Sequence, residues 1–132
     1  MTTNTLCREE RLRGGKIFSN LFDNGQSFFQ APYKVFWLKV NNVEEKFKVQ
    51  FAVSAPKKRF KSAVCRNLLK RRSREAYRTN KRILYKVINE NEQVQVQMIV
   101  VYSCDQMLPY ADLVDAMKKI LQLIADKLKI EN

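Results

Sequence analysis

Six side chains on one short stretch are of types and spacing that could do chemistry together: Arg66, Asn67, Lys70, Arg71, Arg74 and Arg78. The chemistry is phosphate recognition, because each phosphate neutralised by Lys or Arg releases a condensed counterion. Asn67 adds a group that both donates and accepts hydrogen bonds, which suits RNA. The stretch from Ala63 to Arg78 holds neither glycine nor proline and consists mostly of helix formers, so an α-helix is predicted. Projected at about 100° per residue, Cys65, Leu69, Ala76 and Ile83 fall on one side, and the six polar residues with Lys81 fill a broad arc opposite. Arg72 projects into the middle of the apolar side. A helix of this kind buries one face and lays a cationic ladder along a nucleic-acid backbone.

The charge is localised. From Lys57 to Arg82 stand twelve basic residues (Lys57, Lys58, Arg59, Lys61, Arg66, Lys70, Arg71, Arg72, Arg74, Arg78, Lys81, Arg82) against one acid, Glu75. The whole chain carries net charge +12, so everything outside this segment is close to neutral. Basicity spread for solubility would not concentrate in this way, and a patch implies a polyanionic partner.

Catalysis by the protein itself is disfavoured. The chain has no histidine, which removes the usual general base and the Ser–His and Cys–His nucleophile pairs. Cys7, Cys65 and Cys104 are far apart and odd in number, so they form neither a disulfide framework nor a zinc site; Cys65 and Cys104 read as small apolar packers. Asp112 and Asp115 lie near the start of a helix, where negative charge favours the dipole, and are not read as a catalytic pair. No catalytic and no metal-ligating residue is assigned.

These side chains need a scaffold. At 132 residues and 45% hydrophobic content the chain reads as one domain, 1–132, with 1–7 a flexible tail. It has no run approaching the ~20 apolar residues of a membrane span and no signal-peptide core, so a cytoplasmic protein is expected. Arg8 to Phe22 reads as a first helix weakened at Gly14-Gly15. Asp23-Asn24-Gly25 is a turn, and strands follow at Gln26 to Phe29, Tyr33 to Val40 and Phe47 to Ser54, punctuated by Pro32 and Asn41-Asn42. A basic loop, Ala55 to Lys61, leads into one long helix from Ser62, its N-cap, to Ile88, where Asn89-Glu90-Asn91 stops it. Val94 to Tyr102 makes a fourth strand. Pro109 precedes a final helix with Leu113, Met117, Ile120, Leu121, Ile124 and Leu128 inside. The order α-β-β-β-α-β-α is that of an α+β two-layer sandwich.

At Ala63-Val64-x-Arg66-Asn67-x-x-Lys70-Arg71-x-x-Arg74-Glu75 the chain resembles the bacterial ribonuclease P protein family. Arg11-Leu12 with Phe18, Phe22, Gly25 and Ser27, and Val53-Ser54 with Lys57-Lys58, match the family's flanking pattern, so the likeness spans roughly residues 8 to 128. Leu68 stands where the family often has a base. The resemblance implies a four-stranded sheet with a left-handed βαβ crossover, against the usual right-handed rule, as in a ribosomal-protein domain. It implies a protein subunit that binds a catalytic RNA and helps it remove the 5′ leader of precursor tRNA, with Mg²⁺ held mainly by RNA and substrate. The partners would be that RNA and precursor tRNA, with neither membrane nor DNA. Lys57, Lys58, Arg66, Asn67, Lys70, Arg71, Arg74 and Arg78 would dock on RNA. Phe18, Phe22 and an aromatic of the Phe36-Trp37 pair, best aligned at Trp37, would line the leader cleft.

The residues fit that reading unaided, since single-stranded RNA is bound by stacking platforms beside an electrostatic groove. For Phe51 and Tyr77 a core position is the simpler expectation. The main rival is a structural, ribosomal-type RNA-binding protein with no part in catalysis. A DNA-binding protein is disfavoured because no helix-turn-helix, zinc module or zipper pattern is present.

Overall fold

The computed structural model describes residues 15–40, 49–88 and 94–130. The tail 1–7, the beginning of the first expected helix (8–14), Asn41-Asn42, Phe47 and the helix stop Asn89-Glu90-Asn91 lie outside the described residues. The elements run α1 (Gly15–Asn24), β1 (Gln26–Gln30), β2 (Tyr33–Val40), β3 (Val49–Ser54), α2 (Ala63–Asn80), α3 (Arg82–Ile88), β4 (Gln95–Tyr102) and α4 (Tyr110–Ile130). The sheet is mixed, in the order β1-β2-β4-β3. β2 pairs antiparallel with β1 and with β4, whereas β3 and β4 are parallel. Parallel neighbours need a crossover, and α2 with α3 supplies it. The Ala31–Pro32 bond between β1 and β2 is cis.

The single long helix expected from Ser62 to Ile88 is two helices. Thr79 Oγ1 donates to the Glu75 carbonyl at 3.0 Å and Asn80 Nδ2 to the Ala76 carbonyl at 2.8 Å. These side chains occupy acceptors of the last turn, and α2 ends there. α3 then restarts, with the Leu84 and Tyr85 amides both donating to the Lys81 carbonyl at 3.1 Å. Lys81 therefore leaves the cationic arc in which the projection put it: it is buried, its ammonium 5.4 Å from the Tyr85 ring centroid.

Strand alternation divides the sheet into two faces. One face carries Tyr33, Val35, Trp37, Val49, Phe51, Val96, Met98, Val100 and Tyr102, buried against α2, α3 and α4 in the main core. From α4, the expected residues Leu113, Met117, Ile120, Leu121, Ile124 and Leu128 are all buried there. The apolar stripe of α2 is Leu69, Ser73, Ala76 and Tyr77. Ser73 is admitted because its hydroxyl and that of Tyr33 share a buried hydrogen bond of 2.6 Å. Phe51 and Tyr77 stack with centroids 4.1 Å apart, in the core as expected. The stripe is centred nearer Ser73 and Tyr77 than the hydrophobic projection allowed, so Arg72 lies at its edge, half-buried, and not in its middle.

The second face is covered by α1 alone among the described helices. Leu21 and Ile99 are buried there, with Ile17, Phe18, Phe36, Leu38, Ala52 and Val101 packed around them. Gly25 joins α1 to β1. Its amide donates to the Leu21 carbonyl at 2.9 Å, and a Cβ at this position would run into that oxygen and stand 2.8 Å from the Trp37 carbonyl oxygen. Only glycine allows so close an approach.

Candidate RNA interface

Two surfaces carry the residues singled out in the sequence. The first is α2 with the loop before it. Ser62 caps α2 as expected, its hydroxyl accepting from the Cys65 amide at 3.4 Å. Asn67 and Arg71 are exposed, whereas Arg66, Lys70, Arg74 and Arg78 are half-buried. Asn67, Arg71, Arg74 and Arg78 lie away from the stripe that meets the sheet, whereas Arg66 and Lys70, seven residues before Ser73 and Tyr77, continue its side toward the start of the helix.

Arg66 does more than present charge. Its Nη1 donates to the carbonyls of Phe60 and Lys61, at 2.8 and 2.9 Å. Arg59 from the same loop pairs with Asp105 beyond β4 at 2.8 Å. The loop is thereby fastened at two points, and between Ser54 and α2 it holds Lys57, Lys58 and Lys61 exposed to solvent. Fixing cations before the partner arrives lowers the ordering cost of binding. Nothing in the residue pattern marks this clamp, because backbone carbonyls in a loop leave no mark in composition.

Arg78 is tied to Glu75 through its Nε, 3.0 Å from Oε2, and through Nη2 to Oε1. This hydrogen bonding holds the Glu75 carboxyl below the usual carboxylate range and raises Arg78. The one acid in the basic segment thus offsets one of its cations.

The second surface lies between α1 and the sheet. Phe22 and Phe36 meet edge to face, centroids 4.8 Å apart and planes at 85°. Phe22 keeps 46% of its surface exposed, and Phe18 and Phe36 are half-buried beside it. Lys34 reaches over the Phe36 ring at 5.8 Å from its centroid. The structure brings Phe18, Phe22 and Phe36 to one side of the sheet and excludes Trp37. That ring is fully buried among the helices on the other side, because neighbours in a strand point to opposite faces. Of the two strand aromatics left open by the sequence, Phe36 is the one beside α1.

A cavity of about 210 Å³ between α3 and α4, lined by Ile83, Lys86, Val87, Gln122, Ala125 and Lys129, shares no residue with either surface. Among the described residues, no group of His, Cys, Asp and Glu could hold a metal ion. No helix there is long and apolar enough to cross a membrane.

Comparison with known proteins gives the chain's lineage and its fold. The family model "Ribonuclease P" matches residues 6–125. The ribonuclease P protein component of Porphyromonas gingivalis is 32% identical over 120 residues, covering 91% of this chain and 86% of that protein. That of Chlorobium phaeobacteroides is 36% identical over 107 residues, covering 75% and 72%. Among solved structures, the Staphylococcus aureus RNase P protein superposes with a TM-score of 0.67 at 19% identity, over 87% of this chain and 94% of that one. The Thermotoga maritima protein gives 0.67 at 20%, over 86% and 96%. At these identities the structural matches establish the α+β fold, and the family model and curated relatives establish the lineage. The chain belongs to the bacterial ribonuclease P protein family, the RNA-binding protein component of a tRNA-processing endoribonuclease.

Proposed function

We propose that this subunit binds the catalytic RNA of ribonuclease P through α2 and its preceding loop, and receives the 5′ leader of precursor tRNA in the groove between α1 and the sheet. The observation that carries the reading is the half-open Phe22–Phe36 pair beneath Lys34. A partly exposed ring pair with an adjacent ammonium suits bases and phosphates of a single strand. A leader varies in sequence, so stacking and backbone contacts serve it better than base-edge readout. Lys57, Lys58, Arg66, Asn67, Lys70, Arg71, Arg74 and Arg78 supply the docking surface.

On this reading hydrolysis belongs to the RNA, and Mg²⁺ held by RNA and substrate would supply the Lewis acidity for it. The described residues of this chain do not fit a Mg²⁺ site, since no carboxylate cluster is present among them. The protein's part is to bind and orient.

The test compares the holoenzyme's affinity for a precursor tRNA and for mature tRNA. Phe36→Ala should weaken precursor binding by about tenfold, within the ~1–3 kcal/mol of a lost stacking contact, and leave mature tRNA unchanged. Equal losses for the two substrates would assign Phe36 to the fold and overturn the groove.

A further inference from the structure

Phe29 stands 60% exposed on β1, and neither surface above includes it. Ladder pairing fixes where it lies. Phe28 pairs with Val35 and packs into the main core, so Phe29, paired with Lys34, lies on the α1 face. Lys34 in turn pairs with Val101, and Val101 with Ser54. The row Phe29–Lys34–Val101–Ser54 crosses the sheet in three inter-strand steps, about 14 Å in all at ~4.8 Å each. It ends where the basic loop begins.

We propose that Phe29 and Lys34 form a further stacking step for single-stranded RNA, next to the Phe36 platform and toward the β1 edge of the sheet. The proposal rests on the leader-groove reading and extends it by one nucleotide-binding position. A large aromatic held more than half open on a strand costs the protein solvation, whereas a base stacked on it recovers that surface. Lys34 lies between Phe29, its ladder partner, and Phe36, whose ring it overlies, so one ammonium serves phosphates at both. The sheet residues that the pairing places on this face include no carboxylate, which favours an RNA strand over a protein segment needing mixed charge.

The experiment measures affinity of the holoenzyme for precursor tRNAs whose leaders are lengthened one nucleotide at a time. Wild type, Phe22→Ala, Phe29→Ala and Phe29→Tyr are compared. The expected result is that Phe29→Ala matches wild type for short leaders and loses about fivefold beyond one threshold length. Phe29→Tyr should keep the affinity. If Phe22→Ala removes the dependence on leader length while Phe29→Ala follows wild type throughout, the step at Phe29 is refuted and the groove stands. If affinity is independent of leader length in wild type and all variants, the groove itself is refuted. A loss shared by mature tRNA, or a change of oligomeric state in Phe29→Ala alone by sedimentation, would overturn the proposal in favour of a structural or self-association role.

Discussion

The sheet's two faces both carry aromatic side chains and use them in opposite ways. On the face under α2–α4, Tyr33, Trp37, Phe51 and Tyr102 are 2% exposed or less. On the face under α1, Phe22 and Phe29 are 46% and 60% exposed. Ring type does not separate the two sets; cover does. Three helices close one face, whereas the ten residues of α1 close only part of the other. Aromatic content therefore marks a binding platform only once the helices that leave it uncovered are known.

The sharpest way to break this contrast is to truncate one ring on each face of the sheet. Trp37→Ala should cost about 3–5 kcal/mol of stability in denaturant unfolding, as expected for a large ring removed from a packed core. Phe29→Ala, on the other face, should stay within ~0.5 kcal/mol. Comparable losses would mean that the α1 face is as much core as its opposite.

Alkaline pH should also separate the faces. Burial pushes the Tyr33 phenol from 10.0 up to about 12, with the Ser73 hydrogen bond opposing. The unfolded phenol ionises near pH 10 while the folded one keeps its proton to about pH 12, so stability is intact below the first value and falls between the two. The loss reaches about 3 kcal/mol for a shift of this size. Tyr33→Phe should flatten that part of the pH profile; an unchanged slope would place the titration elsewhere.

The smallest effects concern α2. Lys70→Ala should weaken RNA binding and reduce the salt slope of log K by roughly 0.7–0.9, one phosphate's worth. Arg66→Lys keeps the charge, but its ammonium ends one bond short of Arg66 Nη1 and lacks the planar guanidinium that holds that nitrogen between the two carbonyls. It should preserve most of the slope while losing a few-fold in affinity, through a looser loop. If Arg66→Lys is silent, the clamp on Phe60 and Lys61 has no role in binding.

Much of this architecture was legible. Turn residues and β-branched runs located the strands, with clean period-two alternation only in β3; the glycine- and proline-free basic stretch located α2, and the apolar spacing of α4 named its buried residues. Three features were not. The break at Lys81 depends on Thr79 and Asn80 turning to their own helix's carbonyls, a local choice that helix propensity does not register. Ser73 was missed as core because a hydroxyl counts as polar until its partner Tyr33, forty residues away along the chain, is seen beside it. Phe36 and Trp37 are adjacent on a strand apolar on both sides, so pattern alone could not say which face was dry. The lysines do not decide it either, since Lys34 stands two residues before Phe36 and Lys39 two residues after Trp37 on the opposite face.

Gly25 gives the open face a mechanical property. α1 leaves the sheet through this one joint, and Phe18 rides seven residues up the helix, about 10 Å away. A swing of about 10° at the joint carries that ring about 2 Å, roughly half a ring-to-ring stacking distance. Groove width is thus geared to a residue that never faces the groove, and any side chain placed at position 25 acts on the bound strand as a wedge acts on a door.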